Sequence, residues 1–181
     1  MRLAVYIVFL LPFVLVAQQL YIPSNGIMHI SEGANLQVGG DFENNGVVQN
    51  LGALTLYGDW TTNNNFNGLQ GSLRFWGGED QMVALPQLTV SELVINQGGE
   101  VNFSGSEYLV LDGIDFQLGN IKPGEDTRFV LGPNVRVNGG SNMSYFDGAI
   151  ISQGSGIKTF PLGTDGFYNP VTLLNVFGLN T

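Results

Sequence analysis

The chain contains no cysteine. That removes a disulfide framework, a thiolate metal site and a cysteine nucleophile together. It has a single histidine, His29, so the imidazoles of a zinc site or a facial triad are missing. No G-x-S-x-G elbow surrounds any serine, which leaves no basis for a Ser-His-Asp triad. Positive charge is scarce: Lys and Arg number 6 against 15 Asp and Glu in 181 residues, for a net charge of -9. A nucleic-acid binder needs clustered Lys and Arg to neutralise phosphates, so that class is excluded, and an anionic membrane surface is disfavoured on the same ground. Charge of either sign is low, at 12% of residues, while 44% are hydrophobic. A disordered acidic segment shows the opposite balance, so this chain can bury a core.

What the chain has in quantity is Gly (26) and Asn (18), together about a quarter of its residues. Gly costs about 1 kcal/mol at each helix position, so this composition suits a fold of short strands and tight turns. Apart from the N-terminus, no stretch carries apolar residues at helical spacing. The N-terminus reads as an export signal. Met1-Arg2 supplies a positive charge, residues 3–16 are almost wholly apolar, and small Ala17 precedes polar Gln18 and Gln19. The apolar run is shorter than the ~20 residues a spanning helix needs. Residues 1–17 are therefore expected to be a signal peptide, which directs the chain outside the cell or to its surface with no membrane span after cleavage.

A repeat runs through the middle. Residues 34–46 (ANLQVGGDFENNG) align with 52–64 (GALTLYGDWTTNN) at a step of 18: Leu36 on Leu54, Val38 on Leu56, Gly40 on Gly58, Asp41 on Asp59 and Phe42 on Trp60. A third copy places Leu73 and Phe75 19 residues beyond Leu54 and Leu56, and a fourth places Leu93 and Ile95 20 further on. Weaker rungs follow at 108–113, 129–132 and 135–140. Each copy alternates apolar and polar residues, the signature of a strand with one apolar face. One unit of 18–20 residues cannot bury that face alone, whereas stacked units can. The expected fold is an all-β solenoid of the parallel β-helix kind over residues 18–143, with an antiparallel β-sandwich as the alternative. Residues 144–181 break step. Strands at 149–152, 158–161 and 171–176 suggest a cap or the start of a further domain.

The phrases Gly58-Asp59-Trp60, Phe75-x-Gly77 through Gln81, Leu93-x-Ile95-Asn96 and Phe160-Pro161-x-Gly163 through Tyr168-x-Pro170-Val171 resemble repeat regions of large surface and secreted proteins of Bacteroidota. Many of these leave by the type IX secretion system. The resemblance spans about residues 33–175. It implies an adhesin-like surface stalk rather than a reaction. That group's usual C-terminal sorting domain does not occur in this sequence, which points to a longer parent chain.

Several residues merit attention as sites. Asp41 and Asp59 occupy equivalent positions one repeat apart, and stacked coils would bring them about 4.8 Å from each other. Either each accepts backbone N–H bonds within its own turn, or a Ca²⁺ ion bridges the two carboxylates; no other cofactor is expected. Asn44, Asn45, Asn63, Asn64 and Asn65 are expected to form amide ladders at a corner, or a polar strip facing a sugar. If Leu73 and Phe75 point inward, alternation sends Arg74 and Trp76 outward. An exposed Trp beside an Arg suits a glycan or a surface protein as partner, unless a loop covers it. Trp60 is expected in the core. Parallel β-helices also host polysaccharide lyases and hydrolases. The carboxylates available for that are Asp112, Asp115, Glu125 and Asp126, near Lys122 and Arg128, and their spacing suits a solvated loop better.

Overall fold

The computed structural model describes residues 19–64 and 66–176; the expected signal peptide and Asn65 lie outside them. The described residues are all-β, and no helix among them is long and apolar enough to cross a membrane. Strands run in three-sided coils. The first coil is β1 (Gln19–Ile22), β2 (Ile27–Ile30) and β3 (Asn35–Val38); the second is β4 (Asp41–Asn44), β5 (Val47–Asn50) and β6 (Ala53–Leu56). Later strands bend round the corners and serve two or three faces. They are β7 (Trp60–Thr61), β8 (Phe66–Gly77), β9 (Gln81–Ala84), β10 (Gln87–Ser104), β11 (Glu107–Pro123), β12 (Arg128–Leu131) and β13 (Arg136–Gly139). Every pairing among these strands is parallel, which gives a β-solenoid of about six turns and sets aside the sandwich.

The register explains why the alternating pattern produces this fold. On the third face Leu36, Leu54, Leu73, Leu93, Ile114 and Val137 are consecutive partners, and Val38, Leu56, Phe75, Ile95 and Phe116 form a second column beside them. The first face stacks Leu20, Phe42, Trp60, Val83 and Phe103. The second face stacks Met28 on Val48, and then Phe66, Leu88, Tyr108, Phe129 and Ile150. Most of these side chains are buried, those of the end coils only partly, and together they form one continuous core. Each large apolar side chain placed there contributes about 1.5–3 kcal/mol, and a coil gains it only when a neighbour covers it.

Two departures from the repeat reading follow. The rungs beginning at Tyr108 and Phe129 are not successors of Leu93; they belong to the second face, whereas Leu93 is continued by Ile114. That second face escapes the repeat alignment altogether. Aromatic rings fill the interior near it: Trp60 meets Phe42 at 5.4 Å and Phe66 edge-on at 4.8 Å, and Phe103, Tyr108, Phe129 and Phe146 form a second cluster.

Parallel pairing continues past residue 143. Phe146 bridges Ile121, and β14 (Ile150–Ser152) pairs β12 as the start of a seventh coil. Antiparallel pairing then begins: β15 (Gly156–Phe160) pairs β18 (Val171–Val176), and β16 (Gly163–Thr164) pairs β17 (Phe167–Tyr168). Lys158 Nζ donates to Ser152 Oγ at 3.1 Å and to Pro133 O at 3.2 Å, which ties this hairpin to the last coils.

Candidate functional site

The corner between the third and first faces carries Asp41 and Asp59. Asp41 Oδ1 accepts the Asp59 backbone N–H at 3.0 Å, and Asp59 Oδ1 accepts that of Met82 at 2.8 Å. The same bond recurs higher up, from Glu100 N–H to Asp80 Oδ1 at 2.8 Å and from Tyr145 N–H to Asn120 Oδ1 at 3.1 Å. Each acidic or amide side chain therefore caps the coil above rather than its own turn. The chain approaches itself closely here. A Cβ on Gly58 would stand 2.5 Å from Gly40 C, so only glycine fits. The Gly58-Asp59-Trp60 phrase thus combines a close approach, a cap and a core aromatic. Ca²⁺ takes six to eight oxygen ligands. Among the described residues, no group of three or more His, Asp and Glu side chains is placed to hold a metal ion.

The asparagine corner also works through the backbone rather than through stacked amides. Asn44 Oδ1 accepts Gly46 N–H at 3.0 Å, one coil above Thr62 Oγ1 accepts Asn64 N–H at 2.9 Å, and Thr62 Oγ1 itself donates to Asn44 O. Asn45 Nδ2 donates to Glu43 Oε1, and Asn64 Nδ2 to Gly46 O. Gln81, the last residue of the Phe75-x-Gly77 phrase, is buried. Its Nε2 donates to Leu56 O and Gly58 O, both at 3.2 Å. This clasp between coils had no signal in the sequence beyond the phrase itself.

Trp76 points outward as alternation requires, and 41% of its surface is exposed. Arg74 lies on the same outer face, between Thr55 of the coil before and Val94 of the coil after. Its Nε is buried without a partner among the described residues. Tyr57 follows Leu56, the partner of Phe75, so Tyr57 and Trp76 hold the same rung position in adjacent coils; Tyr57 is 39% exposed. Two aromatics and an arginine therefore share one outer face.

The acidic residues considered for polysaccharide chemistry are not gathered. Asp112 Oδ2 accepts the Ser91 hydroxyl, and Asp115 Oδ2 accepts Gln117 Nε2 at 2.7 Å. Glu125 and Asp126 sit in the turn between β11 and β12. The nearby cations are paired elsewhere, Lys122 with Glu100 at 3.3 Å and Arg128 with Glu107 at 3.0 Å. Its hydrogen bond to Glu100, reinforced by that carboxylate's charge, raises the Lys122 pKa above the usual lysine value. These ion pairs are exposed and lie along the stacking direction, each joining one coil to the next.

No protein-family model matches this chain, and no curated protein or solved structure matches it either.

Proposed function

We propose that the chain is a non-catalytic structural module of an extracellular or cell-surface protein, an adhesin-like rod that spaces or presents other parts. One observation carries the reading: about six coils stacked in parallel register, continuous along the first and third faces. Coils rise by about 4.8 Å each, so six give a rod about 29 Å long whose coils depend only on their neighbours. The export-type N-terminus and the resemblance to Bacteroidota surface repeats support the location, with surface proteins or glycans as partners. The test is incubation of residues 18–181 with a panel of neutral and acidic polysaccharides, followed by assay for released oligosaccharides. No release is expected. Measurable turnover would overturn the reading in favour of a polysaccharide-active enzyme.

A second reading, carbohydrate binding, is favoured by the exposure of Trp76 beside Arg74, with Tyr57 one coil away. Exposed aromatic faces suit the apolar faces of sugar rings, and the guanidinium supplies donors for hydroxyls. It requires glycan binding that Trp76→Ala abolishes; unchanged binding by that variant removes its basis.

A further inference from the structure

The second face is interrupted at one place. Among the described residues, β2 and β5 pair only with each other, and no ladder joins β5 to the part of β8 that follows it in the stack. A cleft of about 890 Å³ opens there, lined by Ser24, Asn45, Gln49, Asn50, Asn64 and Gln70 around Val47 and Leu51. Side-chain amides hold the coils together at both ends of the break. Asn64 Nδ2 donates to Gly46 O at 3.2 Å, and Asn50 Nδ2 donates to Ser72 O at 3.0 Å. An added peptide strand would need its neighbours about 9.5 Å apart, twice the spacing of paired strands. Coils tied at both ends leave no such gap, so an occupant lies across the opening rather than threading between strands.

The chemistry of the cleft is neutral. No Asp, Glu, Lys or Arg occurs between Glu43 and Asp59 or between Asp59 and Arg74, in a chain whose net charge is -9. An anion would meet that charge with no cation to offset it, and the carboxylate at the rim, Glu43, is engaged by Asn45 Nδ2 at 2.8 Å. What the cleft offers is a set of amides, each with a polar end not used in the hydrogen bonds named: Asn45 has used Nδ2, Asn64 has used Nδ2, and Gln49 has used Oε1 on His29. Beside them Val47 is 53% exposed and Leu51 36%, which gives an apolar floor. The four residues of β5 make that floor about 13 Å long. The volume falls in the range of small-molecule sites.

From these residues we infer that this cleft is a binding site for a neutral oligosaccharide, distinct from the Trp76 face. Planar amides paired with hydroxyls, over aliphatic side chains that meet the C–H faces of the rings, match an uncharged polyol. The test is titration of the full chain with neutral cello-, malto-, xylo- and manno-tetraoses, with tetragalacturonate as the charged control, read by amide chemical shifts and calorimetry. Saturable binding of a neutral series is expected, with shifts centred on residues 45–51. Gln49→Ala combined with Gln70→Ala should weaken it by about tenfold, as loss of two hydrogen bonds implies, while Met143→Ala, at an exposed position several coils away, should leave it unchanged. Both glutamine positions are on the surface, so the double variant folds, and its β-sheet spectrum checks that. The inference is overturned if no neutral tetraose binds at millimolar concentration. It is equally overturned if the double variant binds as well as the parent, or if the shifts fall at Tyr57 and Trp76 instead. None of these outcomes alters the structural-module reading, which does not depend on this cleft.

Discussion

Two buried glutamines show how unevenly polar groups fare inside a solenoid. Among the described residues, Gln81 Nε2 serves two carbonyls while its Oε1 has no partner, whereas neither amide atom of buried Gln97 meets a partner. A buried polar group left unpaired costs about 1–3 kcal/mol, while a well-shaped apolar replacement removes that cost. Gln97→Met should therefore raise stability in chemical denaturation by about 1 kcal/mol, and Gln81→Met should lower it by about 1–3 kcal/mol; equal losses in both would contradict the assignment. Tyr108 is the counterpart on the second face. Its hydroxyl lies 2.9 Å from Ser104 O and 3.2 Å from both Val83 O and Leu85 O, and donates to one of them at a time. Burial pushes its pKa up to about 12, against the smaller opposing effect of its bond to Leu85. The folded state thus holds the phenol proton more tightly than the unfolded chain does. The stability this contributes is complete below pH 10 and is lost as pH rises towards 12. Denaturation followed from pH 9 to pH 12 should show that decline, and Tyr108→Phe should flatten it.

At the scale of elements, coils are joined by strand ladders and by side chains that reach one coil upward. Asp59 is a clear case, since its Oδ1 accepts the Met82 N–H. Asp59→Ala should lower stability by about 1 kcal/mol, while Asp59→Asn, which keeps an acceptor there, should lose little. Thermal melts of both variants with and without EDTA separate this cap from an ion-bridged corner, which would require charge and would melt earlier in EDTA. The strands of the third face were legible from residues alone because Leu-x-Val, Leu-x-Leu, Leu-x-Phe and Leu-x-Ile keep one chemistry at nearly one spacing. Their register in the structure is the register of the repeat. The second face was not legible. Its stacked positions change from Met28 and Val48 to Phe66, Leu88, Tyr108 and Phe129, so only apolar character is conserved from coil to coil. The coil also lengthens, from 18 residues between Leu36 and Leu54 to 23 between Ile114 and Val137, which blurs any fixed period.

At the scale of the molecule, the outward course of Trp76 and Arg74 followed from alternation, but their shared surface with Tyr57 needed the stacking register. The amide-lined cleft was out of reach of the sequence. Its residues run from Ser24 to Gln70 across three coils, and it lies where no ladder joins β5 to β8 among the described residues. That Asp41 and Asp59 cap the coil above, rather than their own turns, depends on register, which spacing alone does not set. In a rod of this kind each coil depends only on adjacent coils. Gln81 stands in register with Val101, so deleting residues 81–100 removes one whole coil and brings the flanking coils into contact in phase. The measurement is solution scattering of that deletion variant beside the parent chain, with its unfolding followed in parallel. A cooperative, folded particle shorter by one rung, about 4.8 Å, is expected; failure to fold, or folding without shortening, would rule out coils that depend on their neighbours alone.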